Sequence, residues 1–160
     1  DLDGLENEKF WKDYWPTGLV ATALYYLPHQ GAMPERSGAA LSAIVNAPPG
    51  GVLFHCMSGR DRTGMIATLL LAAVHLQADE IVADYLETVR LGEQRAAPRG
   101  TKNIEPELDD FCGTHGTTTE GAFRATLEGV DLDVTFTAAG LSPHDQALLQ
   151  SWRGHIAPLT

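Results

Sequence analysis

The clearest hydrophobic pattern in the chain lies around residue 55, where a short apolar run precedes a longer one. Residues 52–55 follow two glycines and are mostly apolar, which is typical of a buried parallel strand. From Thr63 to Leu76, apolar residues occur on almost every side of the helical wheel, which predicts a buried helix. A strand, a tight loop and a buried helix together form one unit of an α/β protein.

The sequence on either side of this unit has mostly helical patterns. Before it, Pro34 suits a first helical turn, and residues 35–46 predict a helix. After it, Asp79 is placed to cap a further helix, whereas residues 93–110 read as irregular and polar. Two more helices are predicted beyond that segment, the last of them capped by Ser142. We therefore expect the second half of the chain to be helical.

Composition limits the partners and the compartment. The 160 residues, with 44% hydrophobic and 20% charged side chains, suit one ordinary globular domain. The formal net charge of −10 argues against nucleic acid and against stable membrane association, because nucleic acids and anionic membranes both attract positive charge. Two cysteines are fewer than a secreted disulfide scaffold contains, and no apolar run reaches membrane-spanning length. We therefore predict a cytoplasmic location.

The candidate chemistry is concentrated in the loop between the predicted strand and helix, His55 to Gly64. Five residues separate Cys56 from Arg62, and a loop of that length lets successive backbone N–H groups converge on one anion. The positive end of the following helix reinforces such a site. Arg62 can donate two hydrogen bonds to a tetrahedral oxyanion, and Gly59 permits the loop to turn closely around it. The loop is therefore a candidate phosphate site.

The positive end of the helix and the charge of Arg62 also act on the thiol of Cys56. A cysteine near a helix N-terminus and an arginine has a lowered pKa, so the nucleophilic thiolate prevails near neutral pH. The hydroxyl of Thr63 is placed to hydrogen-bond the sulfur, and His55 can support the loop through backbone contacts. These features predict a metal-independent phosphatase that needs no cofactor and forms a phosphocysteine intermediate.

The motif HCMSGRDRTG closely resembles the signature of cysteine-dependent protein tyrosine phosphatases. It is most similar to their bacterial and lipid-active branch, whose loop usually reads His-Cys-x-x-Gly-Lys-Asp-Arg-Thr-Gly. The segments PGGVLFHC, DEIVADYL, GTTTEGAF and AAGLSPHD are also similar, so the resemblance covers about residues 30–153. It implies an α/β fold with a central, mostly parallel sheet flanked by helices. It also implies that residues 1–160 form one phosphatase domain without its N-terminal strands.

The resemblance also implies roles for the loop residues. By the family pattern, Cys56 is the nucleophile, Arg62 binds the phosphate and Thr63 assists the thiolate. Arg60 stands where the branch usually has lysine, so it would add recognition of an anionic substrate. The predicted substrate-binding residues are Met57, Ser58, Gly59, Arg60 and Thr63, with His55 in support.

The general acid has two candidates. Tyrosine phosphatases use an aspartate in an upstream Trp-Pro-Asp loop, but the matching segment YWPTG places Thr17 at that position. Threonine cannot protonate a leaving group. In the resembled branch the aspartate inside the phosphate loop has been assigned this role, which makes Asp61 our candidate and Asp13 the alternative. Asp61 can equally be a structural hydrogen-bond acceptor.

Several substrates and two other functions stay open from the sequence. The predicted partner is a phosphoprotein or a small phosphoester: phosphotyrosine first, and also phosphoserine, phosphothreonine or a phosphoinositide, as in a dual-specificity enzyme. A rhodanese-like sulfurtransferase also holds a cysteine in an anion-binding loop. A binding module could instead keep the phosphate cradle without turnover. Cys112 is predicted to be a plain cysteine, with a redox partnership to Cys56 as the alternative.

Overall fold

The computed structural model describes residues 2–151, and all regular elements in this range are helices. Residues 152 and 153, where the resemblance ends, and the two ends of the predicted domain lie outside the described residues. Four short 3₁₀ helices span Trp15–Thr17, Leu19–Ala21, Ala23–Tyr25 and Ala97–Arg99. The α-helices are α1 (Glu8–Tyr14), α2 (Tyr26–Ala32), α3 (Pro34–Val45), α4 (Asp61–Ala73), α5 (Ala78–Arg90), α6 (Gly92–Ala96), α7 (Glu105–Thr114), α8 (Thr119–Glu128), α9 (Leu132–Ala138) and α10 (Pro143–Gln150).

The predicted central parallel sheet, and with it the α/β fold class, is wrong for the described part of the chain. Residues 52–55 form an irregular segment, and no strand occurs among residues 2–151. A strand needs a neighbour to satisfy its backbone N–H and C=O groups, and no described segment pairs with this one. Leu53 is 88% exposed, so the apolar run is not a buried strand here. It instead leads the chain to Cys56.

The helical prediction for the second half is confirmed, with differences at particular residues. Ser142 caps α10 as expected. Gln77, rather than Asp79, is the N-cap of α5, where it forms a reciprocal capping box with the third helical residue. Residues 93–110, predicted to be irregular, contain most of α6 and the first part of α7. None of the described helices has both the length and the apolar character needed to cross a bilayer.

Helix α4 lies between two hydrophobic cores. Met65 packs in a core built largely from α1, α2, α5 and α8. Ile66, Leu69 and Leu70 pack in a second core with α3, α9 and α10. Each of these four side chains is at most 3% exposed, and full burial of such a side chain contributes about 1.5–3 kcal/mol. The N-terminus of α4, and the loop that precedes it, are therefore held from two sides.

Candidate active site

The loop from Cys56 leads directly into α4, whose first residue is Asp61. Two glycines, one in the loop and one in the first turn of α4, allow the backbone to take this path. Gly59 has a φ of 71°, in the left-handed region that glycine adopts without strain. A Cβ added to Gly64 would lie 3.1 Å from the hydroxyl oxygen of Tyr26, so a larger residue would crowd the first turn of α4.

The sulfur of Cys56 lies among hydrogen-bond donors. The hydroxyl of Thr63 and the backbone N–H groups of Thr63, Gly59 and Ser58 are directed at it. The backbone N–H of Cys56 in turn donates to Oγ1 of Thr63 at 2.9 Å. Burial acts to raise the pKa of Cys56, but the hydrogen bonds outweigh it and lower the pKa to about 7. A large share of the thiol is therefore ionised at neutral pH.

Arg62 occupies the side of the loop that faces open space. Its side chain is 31% exposed, and its Nη1 donates to a carboxylate oxygen of Asp3 at 2.8 Å. The sequence contains no local signal for this pairing, because the two residues lie 59 positions apart. Asp3 is thus a residue of the site that sequence reasoning missed.

The segment that carries Asp3 is anchored through its backbone. Nε1 of Trp11 donates to the carbonyl oxygens of Asp3 at 2.9 Å and Gly4 at 3.2 Å. Nε2 of His29 lies 2.8 Å from the carbonyl oxygen of Leu2. These contacts hold the Asp3 carboxylate beside the guanidinium of Arg62, where a single charge-assisted hydrogen bond fixes the arginine.

Two cavities meet at Arg62. One, of about 540 Å³, also reaches Cys56 and Thr63 and is otherwise lined mostly by apolar side chains of α3 and residues 52–54. The other, of about 600 Å³, also reaches Asp61. We call this second cavity the aromatic cleft, and the large side chains that line it are Trp11, Trp15, Tyr25 and Met57.

Arg60 points to the interior instead. It is 3% exposed, and its Nε lies 3.0 Å from both carboxylate oxygens of Glu105. Its Nη1 donates to Asp61 at 2.8 Å and to the carbonyl oxygen of Ala21 at 2.7 Å, and the guanidinium lies 5.7 Å from the ring centre of Tyr85. Arg60 lines neither of the two cavities at Arg62, so its role in substrate binding stays a prediction.

Asp61 lines the aromatic cleft and is largely buried. Its carboxylate accepts hydrogen bonds from Nη1 of Arg60 and from the hydroxyl of Tyr26, the latter at 3.4 Å. Burial raises the pKa of Asp61 above its ordinary value, although the charge and the hydrogen bond of Arg60 act in the opposite direction. A carboxyl group with a raised pKa keeps its proton longer and can donate it.

The alternative acid, Asp13, lies on the surface of α1. It forms an ion pair with Lys9 at 2.7 Å, and it lines none of the cavities described here. Thr17, which stands at the position of the family's upstream acid, uses its hydroxyl to donate to the carbonyl oxygen of Tyr14 at 2.6 Å. Of the two candidate acids, only Asp61 shares a cavity with Arg62.

The remaining predicted residues surround the loop. Met57 is 81% exposed at the mouth of the aromatic cleft, whereas Ser58 is only partly exposed. His55 is exposed, and its Nδ1 lies 3.0 Å from the carbonyl oxygen of Cys56. Cys112 is a free, buried cysteine in the core, and Cys56 is free as well. Within residues 2–151, no three or more His, Cys, Asp or Glu side chains are grouped so that they could hold a metal ion.

Comparisons with known proteins agree with the resemblance of the loop motif. A model of the tyrosine phosphatase family matches residues 20–152. The triple specificity protein phosphatase PtpB of Mycobacterium tuberculosis is 43% identical over 72 residues, which are 42% of this chain and 26% of that protein. A tyrosine-protein phosphatase of Nostoc commune is 39% identical over 84 residues, or 49% of this chain and 29% of that protein. The chain thus matches less than a third of the length of either relative, and no solved structure matches it.

Proposed function

The chain belongs to the tyrosine phosphatase family, and we propose that it hydrolyses phosphate monoesters through a phosphocysteine intermediate on Cys56. The observation that carries this proposal is the environment of the sulfur. A thiol whose pKa is lowered to about 7 sits among the N–H groups of a loop that opens a helix, and Arg62 lines the same cavity. Such a set of donors suits a phosphate dianion and a nucleophile directed at its phosphorus.

The first step transfers the phosphoryl group to the enzyme. The thiolate of Cys56 attacks phosphorus, so that an S–P bond forms while the P–O bond to the leaving oxygen breaks. The N–H groups of the loop and the guanidinium of Arg62 stabilise the charge on the phosphoryl oxygens. The carboxyl group of Asp61 donates its proton to the leaving oxygen, a role supported by its raised pKa and its position in the aromatic cleft.

The second step releases the phosphate. The carboxylate of Asp61 takes a proton from a water molecule, whose oxygen attacks phosphorus. The S–P bond then breaks, and the hydroxyl of Thr63 stabilises the departing thiolate of Cys56 by a hydrogen bond. Inorganic phosphate leaves, and Asp61 is protonated again for the next turnover.

The preferred substrate in this proposal is phosphotyrosine in a protein. The aromatic cleft offers the flat, apolar surfaces of Trp11, Trp15 and Tyr25 beside Arg62, which suit an aryl group attached to the reacting phosphate. The two relatives carry the names of a tyrosine-protein phosphatase and a triple specificity protein phosphatase, which also supports protein substrates and leaves room for phosphoserine and phosphothreonine. The net charge of −10 disfavours approach to an anionic bilayer.

Replacement of the nucleophile tests the proposal. We expect Cys56→Ser to reduce turnover of an aryl phosphate by about 10⁴-fold or more, since the nucleophile is lost while the anion site remains. The variant should still bind vanadate or phosphate. Cys112→Ser is the matched control, because Cys112 lies in the core and not in the loop. Undiminished turnover by Cys56→Ser would refute the mechanism.

The same preparations distinguish the other functions considered from the sequence. A thiosulfate:cyanide assay reports sulfurtransferase activity directly. A binding module would bind a phosphopeptide in the wild type and release no phosphate from it.

A further inference from the structure

A smaller cavity, of about 210 Å³, lies between the phosphate loop and the segment of residues 92–105. We call it the basic cavity, because four of the chain's 11 lysines and arginines line it although the net charge is −10. Only two of its described lining residues carry carboxylates, so the cavity has two more cations than anions. The four cations are Arg60, Arg95, Arg99 and Lys102.

The two carboxylates of the basic cavity are already occupied by its inner cations. Glu105 is buried and accepts hydrogen bonds from Nε of Arg60 at 3.0 Å and from Nη2 of Arg95 at 2.5 Å. Asp61 accepts from Nη1 of Arg60. The excess positive charge therefore lies at the rim of the cavity.

The rim cations are exposed, and neither of them is held by a buried carboxylate among the described residues. Arg99 is exposed and donates through Nη2 to the carbonyl oxygen of Met57 at 2.5 Å, and it forms no ion pair with the described residues. Lys102 is paired with Glu107, but its side chain is 76% exposed. An exposed pair of this kind contributes little to stability, so Lys102 can exchange its partner for a doubly charged anion.

Buried donors in the same cluster also lack acceptors. Nη2 of Arg60 and Nε of Arg95 are buried and have no hydrogen-bond partner among the described residues. Arg60 as a whole is 3% exposed, so this donor is enclosed in the wall of the cavity. Buried polar atoms without a partner are uncommon, and these two nitrogens add positive charge that no acceptor offsets in the wall behind the cavity.

The basic cavity adjoins the phosphate loop. Nη1 of Arg95 donates to the carbonyl oxygen of Ser58 at 3.3 Å, and Arg99 reaches the carbonyl oxygen of the preceding residue. Asp61 lines both the basic cavity and the aromatic cleft. An anion in the basic cavity would therefore border the same loop as a phosphate held by Arg62.

We propose that the basic cavity binds a second phosphate group of a substrate whose first phosphate is held in the loop of residues 56–62. This inference rests on the proposed function of that loop. The ligand class is a bisphosphate, and its source is either a peptide with two neighbouring phosphorylated residues or a soluble inositol phosphate. Arg99 and Lys102 contact the second phosphate directly, whereas Arg60 and Arg95 supply the positive wall behind it.

Equilibrium binding to the 160-residue chain that carries Cys56→Ser tests this proposal without turnover. Dissociation constants are measured by calorimetry for a peptide with one phosphotyrosine and for the same peptide with two adjacent ones. We expect the second phosphate to tighten binding by about tenfold, as for two exposed charge contacts together. Arg99→Ala together with Lys102→Ala should reduce that ratio to about twofold. Arg90→Ala, which removes an exposed arginine paired with Glu87 on α5, should keep the wild-type ratio.

Additional ligands in the same experiment identify which kind of bisphosphate binds and which result overturns each proposal. The same comparison with inositol mono- and bisphosphates shows which bisphosphate is preferred. A ratio near one for both ligand families overturns the second site, and so does a ratio that survives the double substitution. If neither the singly nor the doubly phosphorylated ligands bind and the wild type shows no turnover, the proposed function fails as well.

Discussion

Arg60 and Arg62 lie two positions apart in one loop, carry the same charge and have opposite surroundings. The side chain of Arg60 is 4% exposed and is bound to Glu105 and Asp61. That of Arg62 is 31% exposed, has Asp3 as its ion-pair partner and borders two cavities. Successive residues at a helix start turn by about 100°, so positions two apart point in nearly opposite directions.

The difference shows that two arginines within one helical turn can serve different purposes, one in holding the structure and one in binding a substrate. A buried guanidinium needs several acceptors, and Arg60 obtains them from Glu105, Asp61 and the carbonyl oxygen of Ala21. Arg62 is partly exposed and lines both the cavity that reaches Cys56 and the aromatic cleft that reaches Asp61. We therefore expect Arg60 to hold the loop in place and Arg62 to act on the substrate, and the predictions below test that separation.

The largest effect should come from Arg62→Ala. We expect kcat/KM for an aryl phosphate to fall by about 10³-fold, because the variant loses a preorganised donor to the charged phosphoryl oxygens. Its free energy of unfolding should change by less than about 1 kcal/mol, since the pair with Asp3 is partly exposed. Steady-state kinetics and urea denaturation measure both quantities. Activity within tenfold of wild type would transfer phosphate recognition to another group.

Arg60→Met should show the reverse pattern, with its main effect on stability. Glu105 would lose the buried one of its two partners, and we expect the free energy of unfolding to fall by about 3 kcal/mol. Urea denaturation beside Arg62→Ala provides the comparison. Equal losses of stability in the two arginine variants would contradict the division between them.

Asp61 lies between the two arginines, and its role is tested by the pH dependence of kcat/KM. The reactive form has Cys56 as the thiolate and Asp61 protonated, so kcat/KM should rise with pH as Cys56 ionises and fall at higher pH as Asp61 loses the proton that the leaving group needs. Asp61→Asn should remove the high-pH decrease and lower kcat for a poor leaving group by about 100-fold. Asp13→Asn is the matched control on the surface of α1. Loss of the high-pH decrease in the control instead would assign the acid to Asp13.

The loop could be predicted because its contacts are local. The donors around Cys56 come from residues within seven positions of it, so their spacing along the sequence already determines the cradle. The orientation of the two arginines could not be predicted in the same way. Arg60 is fixed by Glu105, 45 positions away, in a segment whose sequence predicts no helix start. Arg62 meets Asp3 across 59 positions, with no motif to mark it.

The prediction of the fold class was wrong for a related reason. The apolar pattern of residues 52–55 indicates a preference for burial. A sheet also needs partner strands, and a local pattern does not show whether they are present. In the described residues no such partner is present, and Leu53 is exposed. The helices were predicted better because their hydrogen bonds close within four residues and their apolar faces repeat along the sequence, as in α4 between its two cores.

The smallest effect concerns Asp3, which distinguishes the surroundings of Arg62 from those of Arg60. Its carboxylate holds Arg62 at 2.8 Å, but it also places a negative charge beside the site where a phosphate dianion binds. Asp3→Asn keeps an oxygen that can accept from Arg62 and removes the charge. We expect the inhibition constant of inorganic phosphate to decrease by about threefold, in the range for a partly exposed charge pair. Asp13→Asn, remote from the cavities, should leave that constant unchanged, and weaker phosphate binding in Asp3→Asn would mean that the carboxylate serves chiefly to orient Arg62.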